Sequence, residues 1–127
     1  MGTRLEAGPA RVLVAADDLI WASRLRGAVE RAGAVPVAGP RAAAASEPDD
    51  GDGPHGAVVD LGLRGQDATA LITALVAAGV PVIAVGQHDD LALRKRALSA
   101  GATRVYSYDK LFRDGPGVIR AWLDGVK

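Results

Sequence analysis

The sequence predicts an α/β domain, a five-stranded parallel sheet packed between helices. Three observations carry this. Short apolar runs alternate with helical-period segments along almost the whole chain. The runs "RVLVA", "AVVDL" and "VPVIAVG" lack polar alternation, as strands buried on both faces do. Acids or glycines follow each run, where a strand would hand over to a crossover helix. At 127 residues the chain suits one domain, read as a flexible N-terminal arm over 1–10 and a folded unit over 11–127.

In chain order, "RVLVA" (11–15) is the first strand, and Asp17 or Asp18 caps the helix behind it. Leu19, Ala22, Leu25, Val29 and Ala32 recur at helical spacing, and Gly33 suits the residue just past the helix end. "VPVA" (35–38) is a second strand, placed at a sheet edge because Pro36 lacks a ladder donor. "RAAAASEP" (41–48) reads as a short helix and 48–56 as loop. "AVVDL" (57–61) is the third strand. In the helix over 66–79, Leu71, Ile72, Leu75 and Ala78 share a face. "VPVIAVG" (80–86) is the fourth strand, and 89–101 is a helix with acids at its start and a glycine stop. "TRVYSY" (103–108) alternates like an edge strand. The segment 116–127 is a helix with Pro116 in its first turn and Ile119, Trp122, Leu123 and Val126 on one side.

Composition excludes several functions. There is no cysteine, so disulfides, thiol catalysis and cysteine-ligated zinc are out. Fifteen basic residues balance fifteen acidic ones, which argues against nucleic-acid binding by this domain, and 4% aromatics make a base-stacking platform unlikely. The N-terminus lacks a signal-peptide core and a myristoylation pattern, and no apolar run reaches the ~20 residues of a membrane span. A cytoplasmic protein without membrane contact is expected. The cluster 49–52 lacks the spacing of a calcium loop, His55 and His88 have no partner at ligand spacing, and "GLRG" (62–65) is not a phosphate-binding loop.

In a parallel α/β sheet ligands bind at the strands' C-terminal ends. Asp17 and Asp60 both fall there. The sequence around them resembles the receiver domain of bacterial two-component response regulators, over roughly 11–126. "VVDLGLRGQDA" resembles the strand bearing the phospho-accepting aspartate and its following loop, with Asp60 as the acceptor's equivalent, Gly65 and Asp67 matching, and Arg64 where proline is usual. "VLVAADD" resembles the first strand with its acidic pair, "VPVIAVG" the fourth strand and "AGATRVYSY" the fifth. The resemblance implies a flavodoxin-like three-layer sandwich with strand order 2-1-3-4-5. It also implies a magnesium site of Asp17, Asp60 and the carbonyl of Gly62.

The departures from the resemblance imply a receiver-like domain with a degenerate phosphorylation site. The family's two metal-side acids fall on Ala16 and Asp17, so one is missing. The Thr or Ser that bonds the phosphoryl group falls on Gly86, the lysine on Tyr108 and the aromatic switch on Val105. Lys110 is a candidate substitute phosphate contact, two residues on. Each lost contact is worth roughly 1.5–3 kcal/mol, against a typical allosteric coupling of ~1–3 kcal/mol. The expectation is a non-enzymatic, phosphorylation-independent interaction domain with no cofactor or weakly bound Mg2+. Two alternatives stay open: a phosphorylatable receiver using Asp60 with Mg2+, and a small-molecule sensor. The resemblance implies a histidine kinase, an output protein or a second copy as partner; a complete chain would act through such partners, and an excerpt of a longer protein would leave its output out of view. Residues 89–126 are the expected surface, with Arg94, Lys95, Arg96, Arg104, Tyr106 and Trp122 as contacts. The Asp17 and Asp60 carboxylates are expected to approach each other and raise one pKa, with no hydroxyl or ammonium from Gly86 or Tyr108 completing the pocket.

Overall fold

The computed structural model describes residues 9–38 and 53–126. The N-terminal arm, but for its last two residues, and the helix expected over 41–48 lie outside them. The elements are β1 (Arg11–Ala15), α1 (Leu19–Arg31), β2 (Val35–Ala38), β3 (Gly56–Asp60), α2 (Ala68–Ala77), β4 (Val82–Gly86), α3 (Leu91–Ser99), β5 (Arg104–Ser107) and α4 (Tyr108–Val126). The five strands are parallel in the order β2-β1-β3-β4-β5. This is the flavodoxin-like arrangement, with β1, β3 and β4 central and the Pro36 strand at an edge.

Strand alternation sorts the core into two layers. Leu13, Ala15, Ala57, Val59, Val82 and Ala84 face α2 and α3. Val12, Val14, Val58, Ile83 and Val85 face α1 and α4. Each of α1, α2 and α3 starts on an aspartate whose carboxylate accepts backbone N–H bonds: Asp18, Asp67 and Asp90. Asp18 rather than Asp17 is therefore the α1 cap, which leaves Asp17 for other partners. Gly33 and Gly101 follow their helices at φ 92° and 117°, a region closed to most side chains.

Some expectations shift. Leu19, on the predicted apolar face, is 82% exposed because it opens α1 beyond the sheet rim. Ala78 is exposed at the C-cap of α2. Tyr108 ends no strand: β5 stops at Ser107, whose Oγ accepts the Lys110 N–H, and Tyr108 begins α4. The sequence placed the last helix at Pro116 alone. Helix exists on both sides of a break at Asp114 (φ −144°, ψ 41°), and Pro116 lies just beyond it. Trp122 is buried in the α1/α4 layer and its indole covers Gly56, so it is no surface contact. Among the described residues, no helix is long and apolar enough to cross a membrane.

Candidate functional site

Order 2-1-3-4-5 puts the topological switch between β1 and β3, and Asp60 stands at the end of β3. Among the described residues, Asp60 is the buried charged or polar residue, 3% exposed. A carboxylate so placed needs donors. Two serve Oδ1: the Gly62 N–H at 2.9 Å and the phenol of Tyr108. Gly62 permits this approach, since a Cβ there would lie 3.0 Å from the phenol oxygen and 3.3 Å from Asp60 Oδ1.

The phenol is fixed from a second side. The Trp21 and Tyr108 rings lie 4.7 Å apart at 41°, an arrangement favoured by aromatic quadrupoles. The Arg24 guanidinium sits over Trp21 at 5.7 Å and over Phe112 at 4.5 Å, tying α1 to the start of α4. Burial, then the hydrogen bond to Asp60 and its charge, push the Tyr108 pKa far above its ordinary 10.0. The phenol is a neutral donor at every physiological pH.

This overturns the expectation that Tyr108 would leave the pocket without a hydroxyl. Because the chain turns into α4 at Tyr108, the side chain reaches back over the strand ends to Asp60. Gly86 does leave a gap in hydroxyl chemistry, but the space is taken: a Cβ there would meet Leu61 Cδ1 at 3.1 Å. Val105 is buried among the α2/α3 layer and offers no aromatic ring.

Asp17 has a different task. Its Oδ2 accepts the N–H of Arg64 at 2.6 Å and of Gly65 at 2.8 Å, pinning the loop after β3. The Gly65 N–H, then that of Arg64, hold its carboxyl below the ordinary 3.8. The rise expected from a neighbouring carboxylate is not found on Asp17, whose carboxyl those backbone N–H groups lower. Asp17 and Asp60 do line one cavity of about 510 Å³, together with Asp18, Trp21, Gly62, Arg64, Gln87 and Tyr108.

Of the magnesium set that the resemblance implies, Asp17, Asp60 and Gly62 line this cavity. Ala16 supplies no ligand and packs against the α1/α4 core. Asp17 and Asp60 each have an oxygen engaged elsewhere. Among the described residues no group of three or more His, Cys, Asp or Glu stands together as a metal cluster. Lys110 is exposed in the first turn of α4 and does not line the cavity. Trp21, Asp18 and Gln87 were missed by sequence reasoning. The one signal for Trp21 was an indole just after the acidic pair in a chain with few aromatics.

The expected contact residues do not share one surface. Arg94 and Arg96 are two positions apart, roughly 200° around a helix. Arg96 lines a groove against Thr69 and Thr73 of α2, which Arg94 does not line. Arg104 is exposed on β5, and Tyr106 packs half-buried on the α1/α4 layer.

One consequence of the phenol contact is measurable. In a Tyr106→Phe variant, which isolates Tyr108, no phenolate absorbance is expected near pH 10.0. The folded state holds this proton more tightly than the unfolded chain, so the contribution is intact below pH 10.0 and is lost as pH rises beyond it. Phenolate appearing at pH 10.0 with the fold intact would mean the contact is absent.

No family model matches the sequence, and no curated protein matches it. Solved structures do match the fold. The receiver domain of a CheY-like response regulator from Methanospirillum hungatei is 21% identical, with a TM-score of 0.75 over 94% of this chain and 97% of its own. The signal receiver domain of the putative response regulator NarL from Mycobacterium tuberculosis is 24% identical, with a TM-score of 0.71 over 94% and 97%. The receiver domain of the Francisella response regulator 1452 is 18% identical, with a TM-score of 0.72 over 93% and 99%. The flavodoxin-like sheet, its helices and the Asp60 position at the end of β3 together give this chain the fold of a response-regulator receiver domain.

Proposed function

We propose that this is a receiver-like signalling domain that works by protein interaction and does not switch by phosphorylation of Asp60. The Tyr108–Asp60 hydrogen bond carries the reading. A lysine at this place would offer a positive charge to an incoming phosphoryl group. The phenol offers a neutral donor and already engages the acceptor carboxylate. The loss of the hydroxyl position at Gly86 beneath Leu61 supports the same conclusion. So does the short metal set, which would bind Mg2+ weakly if at all. A ligand can shift an equilibrium only by what it binds differently in the two states, and here few contacts distinguish them. The domain is not an enzyme in this reading, and it acts in the cytoplasm.

The partner is a histidine kinase, an output protein or a second copy. The surface around α3 and β5 suits it: Leu91 and Leu98 are 69% and 45% exposed and seven residues apart on one face of α3, flanked by Arg94 and with Arg104 on the edge strand.

The reading is tested by incubation with acetyl phosphate and Mg2+ followed by intact mass. The expected result is little stable adduct, and none that survives a chase. Stoichiometric modification mapping to Asp60 would return the domain to the phosphorylatable class. A second reading, a small-molecule sensor, is favoured by the cavity at Asp60 with its Trp21 and Tyr108 wall. A ligand-dependent melting shift abolished by Trp21→Ala would support it.

A further inference from the structure

The basic run 94–96 is not used by the Asp60 site, and the structure divides it. α2 carries no charged residue, and α3 carries Arg94, Lys95 and Arg96 with no acid. Between the two helices lies an open groove of about 530 Å³. Thr69 and Thr73 line it from α2, and Lys95, Arg96 and Ser99 from α3, with Ala92 and Ala100 keeping the wall low. Among the described residues no carboxylate lines it.

The nearest acids along these helices are committed. Asp67 accepts from the Thr69 and Ala70 N–H groups, and Asp90 from that of Leu93. Among the described residues the ion pair is Arg113–Asp109 on α4, and Lys95 and Arg96 have no carboxylate partner there. Thr73 donates to the Thr69 carbonyl at 3.0 Å, whereas no bond among the described residues engages the Thr69 or Ser99 hydroxyl. Two cations and two free hydroxyl donors thus converge on one groove in a chain whose net charge is +0. That is the donor set an oxyanion needs: a charge to attract it and hydroxyls to orient it.

We propose that the α2/α3 groove binds a small oxyanion-bearing molecule, a phosphate ester or a polycarboxylate, through Lys95 and Arg96 with Thr69 and Ser99. The site is independent of Asp60 and of the interaction reading above. All its charges are exposed, so the affinity is modest, on the order of millimolar, and falls as salt rises above ~0.1 M.

The test is a heteronuclear NMR titration of the full chain at low salt with inorganic phosphate, pyrophosphate and citrate. Saturable shifts confined to 69–73 and 92–100 are expected. Pyrophosphate binding tighter than citrate assigns a phosphate ester, and the reverse assigns a carboxylate. Lys95→Glu with Arg96→Glu should weaken binding at least ~10-fold, the loss of two charge-assisted contacts. Arg26→Glu, a charge reversal at one exposed cation of α1, should leave it unaltered. Unsaturable shifts spread over the cations of the whole surface would overturn the proposal, as would groove variants that bind like the parent.

Discussion

Tyr108→Phe is expected to destabilise the domain by about 1–3 kcal/mol, the cost of taking a donor from a buried acceptor. The ring stays, so the Trp21 contact survives and the effect isolates one O–H. Asp60 is 3% exposed and keeps only the Gly62 N–H among the donors found on Oδ1. For a domain of this size the melting midpoint should fall by roughly 4 °C per kcal/mol. Tyr108→Ala should cost more, because the aromatic contact, itself worth about 0.5–1.5 kcal/mol, goes too. A double-mutant cycle makes the attribution specific: once Asp60→Ala removes the acceptor, Tyr108→Phe should cost almost nothing further. Additive losses in that cycle would show that the phenol stabilises through something other than Asp60.

Gly56→Val should be at least as damaging, by about 3 kcal/mol or more. An ideal Cβ at Gly56 falls 2.6 Å from Trp122 Cη2 and 2.9 Å from Cζ2. The indole has nowhere to retreat, since it is enclosed with Val12, Leu25, Val58, Ile119 and Leu123. Overpacking of this kind typically costs ~1–3 kcal/mol for added methylenes, and valine adds three carbons at the tightest point. The effect is steric, because Gly56 lies within a regular strand. Trimming the indole with Trp122→Leu should recover part of the loss in the Gly56→Val background. A Gly56→Val protein that melts with the parent would place Trp122 elsewhere.

The fold was legible because its signals are redundant. Val12–Ala15, Ala57–Val59 and Val82–Val85 are apolar on both faces, which specifies central strands, and Pro36 marks an edge. The position of Asp60 followed from the same logic. Tyr108 was legible as a departure but not as a contact. Its role depends on β5 ending one residue early and on the direction in which α4 leaves the sheet, and neither is encoded in local periodicity. Trp21 and Gln87 enter the cavity from separate segments, so their proximity to Asp60 is purely tertiary. Asp17 and Asp18 illustrate a third case. Two adjacent acids were interchangeable in the sequence, and the helix phase gave one to the cap and the other to the Arg64 and Gly65 amides.

On the function proposed above, a neutral phenol holds Asp60 in a site without the contacts of a phosphoryl switch. The most direct measurement is a heteronuclear NMR spectrum before and after beryllofluoride and Mg2+. Small changes limited to residues near Asp60 and the 61–65 loop are expected. Saturating binding with broad shifts across 89–110 would contradict it, and would mean that a distinct activated conformation exists after all.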